Sequence, residues 1–545
     1  MSNEAFKYVW EGRRGVYRVV TDSPEYIKET KKTVHHYVTV GKAFEKDGPI
    51  EFGPKYLALA RARKDTVSGA DNQGVLPKAK AVIPYGERLV LEKAFKETGL
   101  RKTMKAVFGI ELTEQIMSLA FFMVSTGDAL SCSAQWCNQR MLPSLDAPRT
   151  SELLPKLDEQ GCSSFFRRWI KENADSRTLC YDITSVSTYA KDMDIAEYGY
   201  NRDHEKWLRQ INLALVTDKQ NHIPLVFRIV NGSLSDVNTL KDTISDFRMY
   251  GASPYGLVMD RGFWSMEKLN ILVQNNIHYM IPVPSSVAWA RKLIEQNKSN
   301  VFQNSPVQGS DGEDTYCFTV FDPLQERRHV WAHIYYSPAI ETVRKERFVK
   351  EYSARRQELL EGNADERYQK FYDEHFIIST RGRGGKRHVE DKVPLSDLMA
   401  GMNFGYWVLY TDMEKNAFIA LNDYRDRNFI EAGFDDLKGA TDAKRLRVHR
   451  TRSVYGRIFV QFIAQVMRTW MRNRISSFND EVRKYAVSPD GVLTRVRSYS
   501  KVSYIGRYKS QFTVMTKGQR LLFQAFGIDA QADSDEESDS EKLLS

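Results

Sequence analysis

The chain has 545 residues, a net charge of +9 and 42% hydrophobic residues, which is enough for two or more domains with substantial cores. No positively charged start is followed by a long apolar run, and the longest apolar cluster, MSLAFFMV near residue 120, is too short to span a bilayer. We therefore expect a folded, cytoplasmic protein without a membrane partner. The five cysteines are irregularly spaced, which predicts buried free thiols instead of disulfides or a zinc module.

The charge is unevenly distributed. Residues 531–545 are rich in acid and almost without large apolar residues, which predicts a disordered tail. The remaining body is therefore more basic than the net charge suggests. A basic body favours a polyanionic partner such as nucleic acid, although a basic surface without a specific ligand is an alternative.

Two N-terminal regions differ in pattern. Residues 1–86 contain short β-rich runs such as GVYRVVT and HHYVTVGKAF, which predict a small β-containing domain. Residues 87–175 carry apolar residues at spacings of three and four in ERLVLEKAFKETGLRKTMKAVFG, LTEQIMSLAFFMVSTG and SSFFRRWIKEN. This spacing predicts a helical domain, which either binds DNA or serves only as a scaffold.

The next region, residues 176–286, predicts a mixed sheet flanked by helices. Five short apolar runs bounded by turn residues predict strands, and two helical patterns between them give the order β-β-β-α-β-α-β. The strands are predicted at residues 178–184, 210–217, 224–230, 255–260 and 277–283, and the helices at 237–249 and 264–275. The fold class is therefore α/β, with a five-stranded mixed sheet.

Two of these strands carry an aspartate at an informative position. Asp182 lies inside the first strand, and Asp260 ends the fourth and is followed by RGF. An aspartate at the carboxyl end of a buried strand often faces a functional crevice. It can equally cap a following helix or be buried and hydrogen-bonded, so neither residue decides the function alone.

The segment DYRDRNFIEAGFDDLK, residues 423–438, predicts an amphipathic helix. At about 100° per residue, four side chains share a polar stripe roughly 60° wide, namely Tyr424, Arg427, Glu431 and Lys438. The neighbouring stripe would anchor the helix to a core through Ile430, Phe434 and Leu437. Because Arg427 and Glu431 also have the i, i+4 spacing of an ordinary surface ion pair, spacing alone favours a solvated face.

This segment resembles the Y-(2)-R-(3)-E-(6)-K signature of bacterial insertion-sequence transposases of the DDE class. YDITS and VMDRGFWS resemble the blocks around that family's first and second catalytic aspartates, and NGSLSDVNTL resembles its Gly/Asn-Asp segment. GYNRDHEKWLRQ is only loosely like the family's approach to the second strand. The resemblance covers residues 178–475 and implies a ribonuclease H-like core in two parts, residues 176–286 and 404–476.

The resemblance implies that Asp182, Asp260 and Glu431 form a metal-binding catalytic triad. Two Mg²⁺ ions about 4 Å apart can activate the attacking oxygen, neutralise charge and stabilise the leaving oxygen. Mg²⁺, for which Mn²⁺ can substitute, prefers oxygen ligands and retains water, so three acids suffice. Other acids near these blocks compete for the role, although spacing favours the triad over them: Asp192, Asp194, Asp236 and Asp435.

The neighbours of the triad are expected to contact DNA. As in the family that the chain resembles, Tyr424, Arg427 and Lys438 would hold phosphates of the transposon end beside the scissile bond. Further backbone contacts are expected from Arg261, Arg445, Arg447 and Arg450.

A helix is expected after these residues. Apolar side chains at helical spacing would pack one of its faces on the sheet and leave the rest for phosphate: Val454, Ile458, Phe462, Val466 and Trp470. In the C-terminal region, residues 477–530, TRVRSYSKVSYIGRYKSQF is either a nucleic-acid contact or the surface of a β-hairpin.

The 170 residues between Asp260 and Glu431 exceed the one strand that this fold needs there, which implies a β-rich insertion domain at residues 287–403. Within it, IETVRKERFVKEYSARRQELL predicts a charged helix. Its loop STRGRGGKRH lacks P-loop spacing and predicts no nucleotide site; it is a basic hairpin on DNA or a solvated turn. Trp264 or Trp289 could stack on an extruded base, although a core position is the more common setting for tryptophan.

Together these predictions describe a DDE transposase that cuts DNA at the ends of its element and joins the freed 3'-hydroxyls to a target. Joining two ends to one target requires a homodimer. The alternatives are a nuclease or resolvase of the same fold, and a domesticated transposase that only binds DNA. A tyrosine recombinase with Tyr424 as nucleophile would need an Arg-His-Arg constellation, and none is evident in the sequence.

Overall fold

The computed structural model describes residues 6–530 except 13–14, 28–31, 47, 55–77, 175–176, 200, 202–204, 206, 234–235, 252–253, 304, 309–311, 323–328, 382–385, 441–444 and 507. The chain divides into two units, residues 1–79 with 504–508, and residues 80–503 with 509–545. The acidic segment 531–545, predicted to be disordered, lies outside the described residues.

The first unit contains a four-stranded antiparallel sheet in chain order. Its strands are β1 (Phe6–Glu11), β2 (Val16–Ile27), β3 (Lys32–Ala43) and β4 (Glu51–Phe52). The two β-rich runs noted in the sequence supply β2 and β3. Their β-branched residues favour a pleated surface, and Val19 and Val40 form a small core with Ala43.

A strand and a group of helices come next in the chain, and all of their residues except Ala79 belong to the second unit. These elements are β5 (Ala79–Pro84), α1 (Gly86–Glu97), α2 (Leu100–Thr126), α3 (Ser133–Gln139), α4 (Ala147–Leu153) and α5 (Glu159–Asn173). Asp146 and Asp158 cap α4 and α5 by accepting hydrogen bonds from backbone amides at 2.9 and 2.6 Å. The helical pattern predicted for this region is confirmed.

Among the described residues, only α2 is long and apolar enough to cross a membrane by length and composition. The apolar cluster MSLAFFMV lies in its second half, so the helix, at 27 residues, is longer than the cluster alone indicated. In the structure, 56% of its most apolar window is buried. Its chain bends at Gly109, whose φ of 76° lies in the region that favours glycine.

A nine-stranded mixed sheet forms the centre of the second unit. Its first five strands and the helices between them are β6 (Thr178–Thr188), β7 (Arg209–Asp218), β8 (Pro224–Asn231), α6 (Asp236–Met249), β9 (Gly256–Met259), α7 (Met266–Gln274) and β10 (His278–Val283). In space these strands follow the order β8-β7-β6-β9-β10. Strand β7 is antiparallel to its neighbours and β9 is parallel to its own. The predicted β-β-β-α-β-α-β order is confirmed.

The insertion lengthens this sheet. Its elements are α8 (Ala288–Asn297), β11 (Val307–Gln308), β12 (Asp314–Asp322), β13 (Val330–Tyr336), α9 (Pro338–Glu361), α10 (Gln369–His375), β14 (Phe376–Arg381), β15 (Lys386–Asp391) and α11 (Leu395–Ala400). After it, β16 (Tyr406–Thr411) pairs with both β10 and β13, which explains why the sheet has nine strands instead of five. The longest element of the insertion is the 24-residue α9, which contains the charged segment predicted to be a helix.

The second part of the core contains the signature segment and a long central helix. Its elements are α12 (Ala417–Arg425), α13 (Asn428–Asp435), a π-helical turn (Asp436–Ala440) and α14 (Thr451–Ser476). From Gly456 to Met471 every residue of α14 is buried, so the expectation of one packed face and an open basic face is wrong. Helices α2 and α5 also pack against α14: Phe459 contacts Phe108 and Phe165 at ring distances of 5.7 and 5.1 Å.

The C-terminal region completes the second unit. Its elements are α15 (Asp480–Arg483), α16 (Pro489–Val496), β17 (Ser500–Tyr504), β18 (Gln511–Phe512) and α17 (Lys517–Ala525). Strands β17 and β18 pair in antiparallel fashion, so the basic and aromatic segment does form a hairpin.

The five cysteines are all free. Four of them are buried, as predicted, whereas Cys132 is exposed and the prediction is wrong there. Burial raises the pKa of Cys137 to about 12. It raises the pKa of Cys180 to about 12 as well, so both thiols remain protonated at neutral pH.

Candidate active site

The sheet brings two aspartates together. Tyr181 of β6 pairs with Met259 of the parallel strand β9, so the residues that follow them, Asp182 and Asp260, lie side by side. Asp182 is buried and accepts a hydrogen bond from the Ile183 amide at 2.8 Å. The Asp260 side chain makes no capping hydrogen bond to the short helix that follows, so the capping alternative is not what the structure shows.

The third acid comes from α13. The Glu431 side chain is 61% exposed, while the opposite side of the helix is held in the core by Ile430, Phe434 and Leu437, as predicted. The helix is not continuous, because i to i+3 hydrogen bonds join Arg427 to Tyr424 at 3.1 Å and Ile430 to Arg427 at 2.8 Å. Lys438 lies in the π-helical turn, so a uniform 100° step does not describe its position.

One buried arginine contacts all three acids. Arg427 donates from Nη1 to Asp182 Oδ2 at 3.1 Å. Its Nη2 donates to Asp260 Oδ1 at 3.4 Å and to Glu431 Oε1 at 2.8 Å. The Arg427 side chain is only 5% exposed. The structure therefore gathers Asp182, Asp260 and Glu431 around a single guanidinium group, and Arg427 faces the acids instead of an open phosphate-binding surface.

The charge of this arginine is maintained by its surroundings. Burial acts to lower the pKa of Arg427, but Tyr424 and the three carboxylates raise it, and the net pKa is well above its usual range. The guanidinium carbon lies 5.5 Å from the centre of the Tyr424 ring. Burial raises the pKa of Tyr424 to about 12 despite the opposing charge of Arg427, so this phenol is neutral at physiological pH and is not activated as a nucleophile.

A cavity of about 690 Å³ opens beside the acids. Its wall includes Asp260 and Tyr424, and it also includes four arginines: Arg261, Arg291, Arg344 and Arg425. A concave site of this size with several guanidinium groups suits an anionic ligand such as a DNA phosphate.

The insertion contributes half of these arginines. Arg291 lies on α8 and Arg344 on α9, whereas Arg261 follows β9. Arg344 donates to the carbonyl oxygens of Phe404 and Tyr406 at 2.9 and 3.3 Å. Burial and then the charge of Arg261 lower the pKa of Arg344, because the two like charges face the same space. The sequence reasoning missed Arg291, Arg344 and Arg425, since nothing in their local pattern distinguishes them from other surface arginines.

The acids are suitable donors for a hard divalent cation. All are carboxylates, the ligand type that Mg²⁺ and Mn²⁺ prefer. Within the described ranges, no three His, Cys, Asp or Glu side chains have the arrangement of a preformed metal site. However, Asp260 and Glu431 both reach the same nitrogen of Arg427, so their oxygens converge on one spot that a small cation could share.

The competing acids have different environments. Asp192 and Asp194 are exposed in the segment after β6, and Asp435 is exposed at the end of α13. The Asp236 side chain is outside the described part of the chain. Spacing favoured Glu431 over Asp435, and of these two only Glu431 bonds to Arg427 in the contacts described above.

The other predicted DNA contacts are scattered. Arg447 and Arg450 are exposed, and Lys438 is half-buried. Arg445 forms an ion pair with Glu205, which offsets its charge. The hairpin β14-β15 contains the basic loop predicted for this region, and its central residues 382–385 are outside the described residues.

The two tryptophans that could stack on an extruded base both pack within the protein. Trp264 and Trp289 each pack on Tyr410, with ring centres 5.4 and 5.6 Å away. Both belong to the edge of the main core, which is the setting that the sequence favoured.

The strand order and the two adjoining aspartates define a ribonuclease H-like fold. The family model described as "Transposase DDE domain" matches residues 173–467, which is more than half of the chain, and the chain therefore belongs to this family. It is a transposase of the DDE class, an enzyme of DNA transposition. The Y-R-E-K subgroup signature stays an interpretation of the sequence.

Comparisons with individual proteins add less. No curated protein matches the chain. A piggyBac transposase synaptic complex with hairpin DNA is similar at a TM-score of 0.32 and 11% identity, over 75% of this chain and 70% of that chain. A pre-cleavage Mos1 transpososome is similar at a TM-score of 0.14 and 10% identity, over 45% of this chain and 72% of that chain. The classification rests on the family match.

Proposed function

We propose that this transposase cuts DNA at the ends of its own insertion element and transfers the freed 3'-hydroxyls into target DNA by a cut-and-paste route. The observation that carries the proposal is the convergence of Asp182, Asp260 and Glu431, from two strands and one helix, on one point beside an arginine-lined cavity. Acids without a histidine or cysteine partner suit metal-assisted phosphoryl transfer better than nucleophilic catalysis by a side chain.

In this proposal Asp182, Asp260 and Glu431 hold two divalent metal ions, Mg²⁺ or Mn²⁺. Bound metal would polarise the scissile phosphate and activate the attacking oxygen. The chain supplies donors of two kinds: the Asp182 side chain is 8% exposed and fixed within the sheet, whereas the Glu431 side chain is 61% exposed. The sheet would therefore set the position of the site, and the helix would complete it.

The cavity is proposed to hold the DNA strand next to the scissile phosphate. Arg261 and Arg344 would donate to phosphate oxygens, and Tyr424 would form part of the same wall. Lys438, Arg447 and Arg450 are proposed as additional backbone contacts. Arg445 is a weaker candidate because Glu205 already pairs with it.

The active complex is proposed to be a homodimer. Two element ends must be joined to one target, and a two-fold arrangement of identical active sites meets that requirement. The enzyme would act on nucleoid DNA in the cytoplasm.

The proposal is tested by cleavage and strand transfer on DNA that carries the sequences flanking the gene, with Mg²⁺ or with EDTA. Scrambled ends serve as the control for sequence recognition. Metal-dependent release of 3'-hydroxyl ends followed by their joining to target DNA is the expected result. Cleavage without joining would support a nuclease or resolvase, and end binding without cleavage would support a domesticated DNA-binding protein.

A further inference from the structure

We infer that Arg427 is a place-holding cation: it occupies the position between the three acids in the metal-free enzyme and leaves Asp260 and Glu431 when divalent metal binds. This inference rests on the proposed metal role of the triad. It assigns Arg427 a positioning function that precedes any contact with DNA phosphate.

The contacts explain why a cation is needed there. Asp182, Asp260 and Glu431 lie close together, and like charges at short range repel one another. The Arg427 guanidinium bonds to all three at 2.8 to 3.4 Å and offsets one of their three charges. The remaining two negative charges still attract a divalent ion. Arg427 therefore holds the three carboxylates together without neutralising their total charge.

The same geometry makes metal and arginine competitors. Mg²⁺ binds carboxylate oxygen at about 2.1 Å, so an ion shared by Asp260 and Glu431 would lie between their oxygens. That space is where Nη2 now contacts Asp260 at 3.4 Å and Glu431 at 2.8 Å. An ion and a guanidinium nitrogen cannot both occupy it, and their positive charges also repel. The Nη1 bond to Asp182 can remain.

The arginine is not fully satisfied in its present position. Among the described atoms, the buried Arg427 Nε has no hydrogen-bond partner. A buried donor without a partner is unfavourable, which lowers the free energy needed to move the side chain. The Tyr424 ring lies 5.5 Å from its guanidinium and also lines the cavity, so a phosphate bound there could receive the released group. Metal entry and DNA binding would then favour each other.

The test is Mn²⁺ binding by the DNA-free protein, measured by titration calorimetry on wild type, Arg427→Gln and Arg427→Lys. If Arg427 competes with metal, its removal should lower the Kd for Mn²⁺ about tenfold or more, with Arg427→Lys intermediate because a single ammonium cannot bridge all three acids. Arg425→Gln is the matched control. It removes the same charge two residues earlier in the chain, from a side chain that donates to the Thr315 hydroxyl.

Thermal unfolding provides a second measurement. Metal-free Arg427→Gln should have a lower Tm than wild type, because the three acids lose their shared partner, and Mn²⁺ should raise its Tm more than that of wild type. If the Gln variant does not fold without metal, Arg427→Lys gives the same comparison with a cation retained. DNA carrying an element end should tighten Mn²⁺ binding by wild type more than by either variant.

The outcomes separate this inference from the proposed function. If wild type binds Mn²⁺ and the two Arg427 variants bind it no more tightly, or less tightly, Arg427 supports the metal site and the place-holder role is wrong. An equal gain in Mn²⁺ affinity in Arg425→Gln would show that the effect comes from the lost positive charge in general, and this too would overturn the place-holder role. If neither wild type nor any variant binds Mn²⁺ even with DNA, the metal triad itself fails, and the inference fails with it.

Discussion

Asp436, the first residue of the π-helical turn after α13, ties the helix that carries Glu431 to the central helix α14. It is buried and pairs with Arg468 at 2.9 Å and with Arg472 at 2.6 Å. Arg468 is itself 1% exposed and keeps two bonds to Asp490, at 2.9 and 2.8 Å, if Asp436 is neutralised. The substitution Asp436→Asn therefore weakens a buried network without leaving Arg468 alone.

The magnitude follows from these contacts. Losing one charge-assisted hydrogen bond to a buried arginine costs about 1.5 to 3 kcal/mol. The Arg472 side chain is 33% exposed, and its pair adds at most about 1 kcal/mol. We expect Asp436→Asn to lower the free energy of unfolding by about 3 kcal/mol.

The assay is urea unfolding followed by circular dichroism, with Asp435→Asn as the matched control. The control makes the same chemical change one residue earlier, at an exposed position, and should alter the free energy of unfolding by no more than about 0.5 kcal/mol. Equal losses in the two variants, or a larger loss in Asp435→Asn, would refute the assignment of Asp436 to a buried structural network.

Three further predictions concern single side chains. Ellman's reagent should modify Cys132 in the native protein and leave the four buried thiols unreacted until denaturant is added; fast modification of a second thiol would contradict the described burial. Tyr424→Phe should retain metal-dependent cleavage, because burial raises the pKa of Tyr424 to about 12 and the phenol is no nucleophile. Complete loss of cleavage in this variant, together with a covalent DNA–tyrosine product in wild type, would show that Tyr424 is the nucleophile. Arg344→Gln should make the slope of log K for DNA binding against log salt concentration shallower by about 0.7 to 0.9, the effect of one lost phosphate contact. The control Arg347→Gln, at an exposed position on the same helix, should leave the slope unchanged. Equal slopes for the two variants would show that the cavity does not contact DNA phosphate.

The five core strands could be predicted because their signals are local. Short apolar runs bounded by turn residues set β6 to β10 to within a few residues of their observed bounds. The positions of the two aspartates then follow, because Asp182 lies in β6 and Asp260 directly follows β9. The extension of the sheet could not be predicted in this way, because β16 pairs with β10 across the whole insertion and such long-range pairing leaves no mark in either strand alone.

Three side chains show where the helical pattern failed. A uniform helix placed Arg427 on the same outward stripe as Lys438, but the tightened turn at Arg427 and the π-helical turn at Lys438 change the direction of both. In α14 the apolar spacing was real, yet the basic Arg468 is also buried because acids from elsewhere in the chain pair with it. Local spacing shows where a charge lies along a helix, and only the folded structure shows its partner.

We propose that Asp182, Asp260 and Glu431 form the metal-dependent active site of this transposase. The most direct test of this proposal is cleavage of element-end DNA in Mg²⁺ and in Mn²⁺ by Asp260→Asn, Glu431→Gln and the control Asp435→Asn. We expect cleavage and joining to fall below detection in the first two variants, with DNA binding retained, and to persist in Asp435→Asn. Cleavage by Glu431→Gln at the wild-type rate would contradict the assignment. Loss of cleavage in Asp435→Asn alone would also contradict it.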